Sequence, residues 1–167
     1  GIVGIGRIGQ ATAKMALGLG MKVIAADSFI PQVDIKVEFF DGQSITTTIV
    51  SQSLESLFKE ADFITLHVPA QDGYIIGEKE LTIMKDGVGI VNCARGGVID
   101  EVALVKALDN GKVLFAGLDV FENEPTPEMA ILMNHKISLT PHIGAATGEA
   151  QDRIGTELAS QIISLLK

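Results

Sequence analysis

The sequence predicts an α/β fold, a doubly wound parallel sheet with helices on both faces, and three observations carry that expectation. The first is the opening stretch Gly1-Ile2-Val3-Gly4-Ile5-Gly6-Arg7-Ile8-Gly9, where apolar residues lead into Gly-x-Gly-x-x-Gly and an alanine-rich helical pattern follows at once. The second is the alternation of short apolar strands with helical patterns along the whole chain, the mark of repeated βα units. The third is Asp27, which closes the second apolar run about 20 residues past the glycines, where a Rossmann-type domain places a carboxylate.

The glycine stretch has a physical reading residue by residue. Gly4 permits a tight turn, Gly6 lets a pyrophosphate approach the backbone, and Gly9 lets the helix pack close to the strand. The free N–H groups of the helix start, with its dipole, then face the phosphates. Asp27 would accept hydrogen bonds from the adenosine ribose diol, and no arginine follows it to receive a 2′-phosphate. The expected cofactor is therefore NAD rather than NADP.

The elements follow in order. A helix is expected over 7–19 and a strand over 22–26. Residues 28–50 read as irregular, with apolar runs at 33–40 and 45–50 and an Asp41-Gly42 turn signal that allows a hairpin. Ser53 caps a short helix over 54–60. A strand over 63–68 is closed by Pro69, a short helix spans 78–84, and a buried strand spans 87–91. Asp100 caps a helix over 101–110 that Gly111 terminates. A strand over 112–119, a short helix near 128–133, a strand over 137–140 and a long amphipathic helix over 148–166 complete the chain.

Composition narrows the function classes. The 167 residues suffice for one domain with a full core, and 20% charged against 47% hydrophobic residues is an ordinary globular balance. A net charge of −8 argues against nucleic-acid and anionic-membrane partners, which want basic surface. No apolar run approaches the roughly 20 residues that span a bilayer. One cysteine fits a reducing, cytoplasmic setting, and the three histidines and that cysteine show no metal-ligand spacing.

In an open parallel sheet, ligands bind outside the carboxyl ends of the strands. Asp27, His67, Arg95, Asp119, Glu124 and His142 all lie in or just past such ends. Arg95, flanked by Gly96 and Gly97, can hold a carboxylate bidentately and polarise a neighbouring carbonyl. His142 is a candidate acid/base for a hydroxyl–carbonyl interconversion, and a carboxylate beside it would orient the ring and favour its charged form. Residue types alone leave Glu122 and Glu124 as equal candidates for that partner. Cys93 has no credible base and reads as a small loop residue.

Taken together, Gly4 to Gly9 with Asp27, Asn92-Cys93-Ala94-Arg95-Gly96-Gly97, Leu118-Asp119-Val120-Phe121-Glu122-Asn123-Glu124-Pro125 and Thr140-Pro141-His142-Ile143-Gly144-Ala145 resemble the D-isomer-specific 2-hydroxyacid dehydrogenases. The motifs occur in family order and span nearly the whole chain. The resemblance implies NAD-dependent oxidation of a small 2-hydroxy acid to its 2-keto acid. It makes Arg95 the anchor of the substrate carboxylate, His142 the proton-exchanging residue, and Glu124 its partner rather than Glu122. It also implies NAD contacts from Arg7, Ile8, Asp27, Val68, Pro69, Cys93, Ala94, Asp119, Gly144 and Ala145.

Within the family, the Asn92 to Gly97 loop and Glu149-Ala150-Gln151 are most similar to the phosphoglycerate dehydrogenase branch, which serves serine biosynthesis. Glycerate/hydroxypyruvate and lactate types are the alternatives, as is a corepressor-like module that senses NAD. The family pattern adds a second, substrate-binding lobe and a homodimeric or higher assembly. Residues 1–167 match the NAD-binding domain alone, so a fragment of a longer enzyme is expected. The final helix should then expose Ile154, Leu158 and Ile162.

Overall fold

The computed structural model describes residues 1–166. The elements run β1 (Ile2–Val3), α1 (Arg7–Gly18), β2 (Ala25–Ala26), β3 (Gln32–Glu38), β4 (Ser44–Val50), α2 (Leu54–Glu60) and β5 (Phe63–Leu66). They continue through α3 (Glu78–Ile83), β6 (Val88–Asn92), α4 (Glu101–Asp109), β7 (Val113–Leu118), α5 (Met129–Leu132), β8 (Ile137–Leu139) and α6 (Gly148–Leu165).

Six strands form one sheet in the order β2-β1-β5-β6-β7-β8, and every neighbouring pair is parallel. The chain leaves β1 to one side for β2 and returns to its other side with β5, pairing Ile2 with both Ala25 and Thr65. This reversal of direction opens a crevice above the carboxyl ends of β1 and β5, the place where doubly wound sheets bind ligands. Ser53 and Asp100 cap α2 and α4 as their sequence positions suggest, accepting the Ser56 and Ala103 N–H groups.

Apolar residues divide between the two faces. On one, α2, α3, α4 and α5 bury Leu57, Phe58, Leu81, Leu104, Leu108 and Ile131 against the sheet. On the other, Ala13 of α1 packs with Ile2, Ile5 and Ala25 and with Ile35 and Ile49 of β3 and β4.

The stretch 28–50 is more regular than its sequence suggests. β3 and β4 form a complete antiparallel hairpin, from Gln32 opposite Val50 to Glu38 opposite Ser44, as a sheet of its own. Alternation supplies the reason, because it turns Ile35 and Ile49 inward onto α1 and the first strand while polar residues face water. Beyond the hairpin, Ser51 bridges Ala25 in parallel, bringing the chain back beside β2.

Strand lengths also differ from expectation. β2 is two residues rather than 22–26, because β1 pairs with it only through Ile2 and Val3, which face Ala25 and Ala26. β5 likewise stops at Leu66, and β6 gains Asn92 through pairing with Leu66 and Leu118. Helix α6 buries no residue, leaving Ile154, Leu158 and Ile162 about half exposed.

Helix α4 provides a direct test of the core. Leu104 is completely buried whereas Val102 on the same helix is 64% exposed. Leu104→Ala is expected to lower the unfolding free energy by about 2–5 kcal/mol in urea titrations. Val102→Ala is expected to stay within about 0.5 kcal/mol of the parent.

Candidate cofactor and active site

The glycine loop has the shape a dinucleotide requires. A Cβ on Gly4 would lie 2.5 Å from the His67 carbonyl oxygen, and one on Gly9 would lie 2.1 Å from that of Gly4. Both positions are therefore closed to any larger residue. A Cβ on Gly6 would meet nothing within 4 Å, so the loop is hollow there. Gly6 is also the N-cap of α1 and offers no side-chain acceptor, which leaves the first-turn N–H groups free for an anion.

Asp27 sits at the end of β2 and ties this loop down. Its Oδ2 accepts the Ile5 N–H at 2.8 Å, and its Oδ1 accepts those of Phe29 and Ile30 at 2.8 and 3.0 Å. Burial works against the charge, but these three hydrogen bonds outweigh it and hold the carboxyl below its ordinary pKa. A carboxylate has about four acceptor sites, so capacity remains for a ribose hydroxyl.

His67 lies beside the loop with Nε2 3.1 Å from Thr65 Oγ1, and burial pushes its pKa down. Burial thus favours the neutral form of the ring. Val68, which follows His67, is half-buried along the same edge, and Pro69 is exposed.

Beyond β6, buried Asn92 shapes the next loop. Its Oδ1 accepts the Ala94 N–H at 3.0 Å and its Nδ2 donates to the Arg95 carbonyl at 3.0 Å. Arg95 projects outward, donating from Nη1 to the Ala94 carbonyl at 2.6 Å. Ala94 itself is buried in the core, while Cys93 is exposed overall, its thiol pushed up by partial desolvation and then by Asp119. A raised thiol pKa means little thiolate, in keeping with Cys93 as a passive loop residue.

In the loop after β7 the two glutamates meet different partners. Glu124 accepts the Phe121 N–H on Oε1 at 2.9 Å and meets His142 Nδ1 with Oε2 at 2.7 Å. The bond to His142 first, and that from Phe121 next, hold the Glu124 carboxyl below its ordinary pKa. Glu122 turns the other way, accepting the Glu101 N–H at 2.9 Å and the Tyr74 hydroxyl at 3.2 Å.

His142 has a left-handed backbone, φ 54°, in which histidine is tolerated better than most residues. Asp119 holds that conformation. Its side chain accepts the Thr140 hydroxyl at 2.6 Å and the N–H groups of Ile143 and Gly144 at 2.9 Å each. Gly144 therefore serves the turn through its N–H, and Ala145 accepts from Gln151 Nε2 at 2.9 Å near the start of α6.

Arg95, Tyr74, Phe121, Glu124 and His142 line one open cavity of about 500 Å³. The glycine loop and Asp27 form the other end of the crevice. Ile8 is exposed on the first turn of α1. Arg7 behaves differently from a loop residue waiting for phosphate, because its guanidinium pairs with Glu157 of α6 at 2.7 and 3.1 Å.

Asp119, expected from its place at a strand end to face the ligand, is buried and directs its oxygens to the His142 loop. Tyr74 and Glu101 escaped sequence reading altogether. Neither belongs to a motif, and their only signal was a position close to a loop that carried one.

The chain matches the family model described as D-isomer specific 2-hydroxyacid dehydrogenase, NAD binding domain, over residues 1–144. It belongs to this family. The domain's cofactor is accordingly NAD, and the hollow at Gly6 with Asp27 beside it fits that molecule.

A hydroxypyruvate reductase of Thermotoga maritima is 48% identical over 171 residues, covering 99% of this chain and 52% of that protein. A D-3-phosphoglycerate dehydrogenase of Methanocaldococcus jannaschii is 44% identical over 169 residues, covering 100% of this chain and 31% of its own. The solved glyoxylate reductase of Paecilomyes thermophila superimposes with a TM-score of 0.81 at 39% identity, over 99% of this chain and 48% of that one. The chain thus spans between 31% and 52% of the length of these relatives. Among the described residues, no helix is long and apolar enough to cross a membrane, and no group of three or more His, Cys, Asp or Glu is placed to hold a metal ion.

Two outcomes follow from this geometry. Hydrogen bonds outweigh burial at Asp119 and hold its carboxyl below the ordinary value, so its stabilisation is full above the unfolded pKa of about 4. That contribution is lost as pH falls through the lowered folded value. Urea unfolding across a pH series should show Asp119→Asn less stable at neutral pH, with a shallower acid dependence than the parent. At the other end of the crevice, the Asp27 carboxylate repels a 2′-phosphate. Calorimetric titration should show NAD preferred over NADP, with Asp27→Ala weakening NAD binding and narrowing the preference.

Proposed function

We propose that this domain is the nucleotide-binding half of a dehydrogenase that oxidises D-2-hydroxy acids, with His142 as proton acceptor. The contact of 2.7 Å between His142 Nδ1 and Glu124, facing the same cavity as Arg95, carries the reading. NAD, when bound, supplies the hydride acceptor. The protein's own groups bind, orient and move a proton. Arg95 is the cation that lines the cavity, and its fork matches a carboxylate while polarising the oxygen on the adjacent carbon. With Nδ1 engaged by Glu124, His142 keeps Nε2 free to take the hydroxyl proton. The Glu124 carboxylate then stabilises the charge that the ring acquires, and its bond fixes the ring plane.

The substrate class follows from the same groups. The Asn92 to Gly97 loop and the phosphoglycerate dehydrogenase relative favour D-3-phosphoglycerate, oxidised to its 2-keto form in the reaction that opens serine synthesis. The hydroxypyruvate reductase relative and the one lining cation, Arg95, favour the smaller pair glycerate and hydroxypyruvate, because a phosphate would call for a second cation from outside this domain. We assign that outside contribution to a substrate-binding lobe on the flanking chain. The exposed apolar residues of α6 support a homo-oligomeric assembly that covers them.

The assay is NADH absorbance with both acids on the full-length protein. His142→Ala is expected to lose about 100- to 10,000-fold in turnover while NAD affinity by calorimetry stays near the parent's. Glu124→Gln should lower the rate and displace the pH–rate profile. A profile identical to the parent's would remove the basis for pairing these two residues.

A further inference from the structure

We infer that Glu101 and Glu122 form a clasp that positions Glu124 against His142. The inference rests on the proposed role of that pair, but its geometry is independent of any substrate. Glu101 opens α4, where the first backbone N–H groups have no partner within the helix. Its own N–H is accepted by Glu122 Oε1 at 2.9 Å, so a residue from the loop after β7 caps a helix that begins 21 positions earlier. The bond is returned, because the Glu122 N–H donates to Glu101 Oε1 at 2.8 Å. Each residue thus donates its backbone N–H to the other's carboxylate.

Three further observations tie the clasp to the site. Glu122 Oε2 accepts the Tyr74 hydroxyl at 3.2 Å, which brings in the segment after β5. A Cβ on Gly96 would lie 1.8 Å from the Phe121 oxygen and 3.2 Å from the Glu122 nitrogen, so the Arg95 loop rests directly on the clasped backbone. Immediately before that backbone, Phe121 donates its N–H to Glu124 Oε1, the carboxylate that meets His142. Moving Glu122 therefore moves the atoms that aim Glu124.

Glu101 is 7% exposed, and its Oε2 has no hydrogen-bond partner. Burial, and then the neighbouring Glu122, Glu128 and Glu124, push its carboxyl pKa up. An acid kept in this surrounding is costly for the fold alone. What it provides is a fixed acceptor for one N–H of a catalytic loop, an arrangement in which the supporting residue touches no reacting atom.

The test uses NMR on this chain and needs no substrate, so its failure is distinct from failure of the dehydrogenase reading. Two signals report the pair: the carboxyl titration of Glu124 and the hydrogen-bonded Nδ1 resonance of His142. In Glu101→Ala the Glu124 titration is expected to move up toward the ordinary carboxylate value and the Nδ1 signal to broaden or vanish. Glu101→Gln, which keeps the acceptor oxygen, is expected to restore both. Glu122→Ala removes the other half of the clasp at an exposed position and should reproduce the Glu101→Ala result, and it decides the matter alone if Glu101→Ala does not fold. The double variant should shift no further than either single one. NAD affinity should stay near the parent's throughout, since Gly6 and Asp27 lie at the other end of the crevice. Parent-like Glu124 and His142 signals in the alanine variants, or shifts that simply add in the double variant, would overturn the clasp.

Discussion

The carboxylate of Asp119 is the constraint on which the catalytic half of the crevice depends. It stands at the end of β7 and accepts three hydrogen bonds from the segment after β8, two of them from backbone N–H groups on the far side of His142. A residue at φ 54° does not hold that conformation unaided. Asp119 supplies the restraint from a neighbouring strand, so the imidazole is aimed by the sheet rather than by its own loop. The ion is tolerated in a buried setting because three donors satisfy its oxygens.

The remaining geometry is backbone laid on backbone. Gly96 lets the Arg95 loop lie against Phe121, and Gly4 lets the glycine loop lie against the His67 carbonyl. In both cases the missing side chain removes the distance between two βα units, and in both a polar residue for the ligand stands next to the contact. The crevice therefore gets its precision from close approach and from acceptor carboxylates, with apolar packing reserved for the layers below. Asp27 and Asp119 play matching parts at its two ends, Asp27 holding the Ile5 N–H across from β1 and Asp119 those of Ile143 and Gly144 across from the segment after β8.

What could be read from the sequence is what is local. Gly4, Gly6, Gly9 and Asp27 carry their meaning in their spacing, and the caps Ser53 and Asp100 sit next to the helices they start. The sheet followed from the order of apolar runs. Strand lengths did not, because β2 is limited by the two residues of β1 rather than by its own apolar run. The β3–β4 hairpin was legible only as a possibility, since its alternation gains purpose from Ala13 and Ile5 on other elements. Glu122 and Glu124 differ by two positions in one loop, and their opposite directions are set by Glu101 and His142. Arg7 likewise answers to Glu157, 150 residues away. Side-chain direction in a loop is a tertiary property, and residue type leaves it undetermined.

The placement of β1 between β2 and β5 has a consequence for how the domain comes into being. Ile2 pairs with Thr65, and the void over Gly4 is closed by the carbonyl of His67. During translation the glycine loop leaves the ribosome before β5, yet its final shape requires that strand, synthesised some sixty residues later. Local propensity can form α1 early, whereas the turn that precedes it stays open until β5 arrives. The loop that meets the phosphates is thus older in the nascent chain than the strand that shapes it, so no cofactor can find it in its final form before β5 has been made.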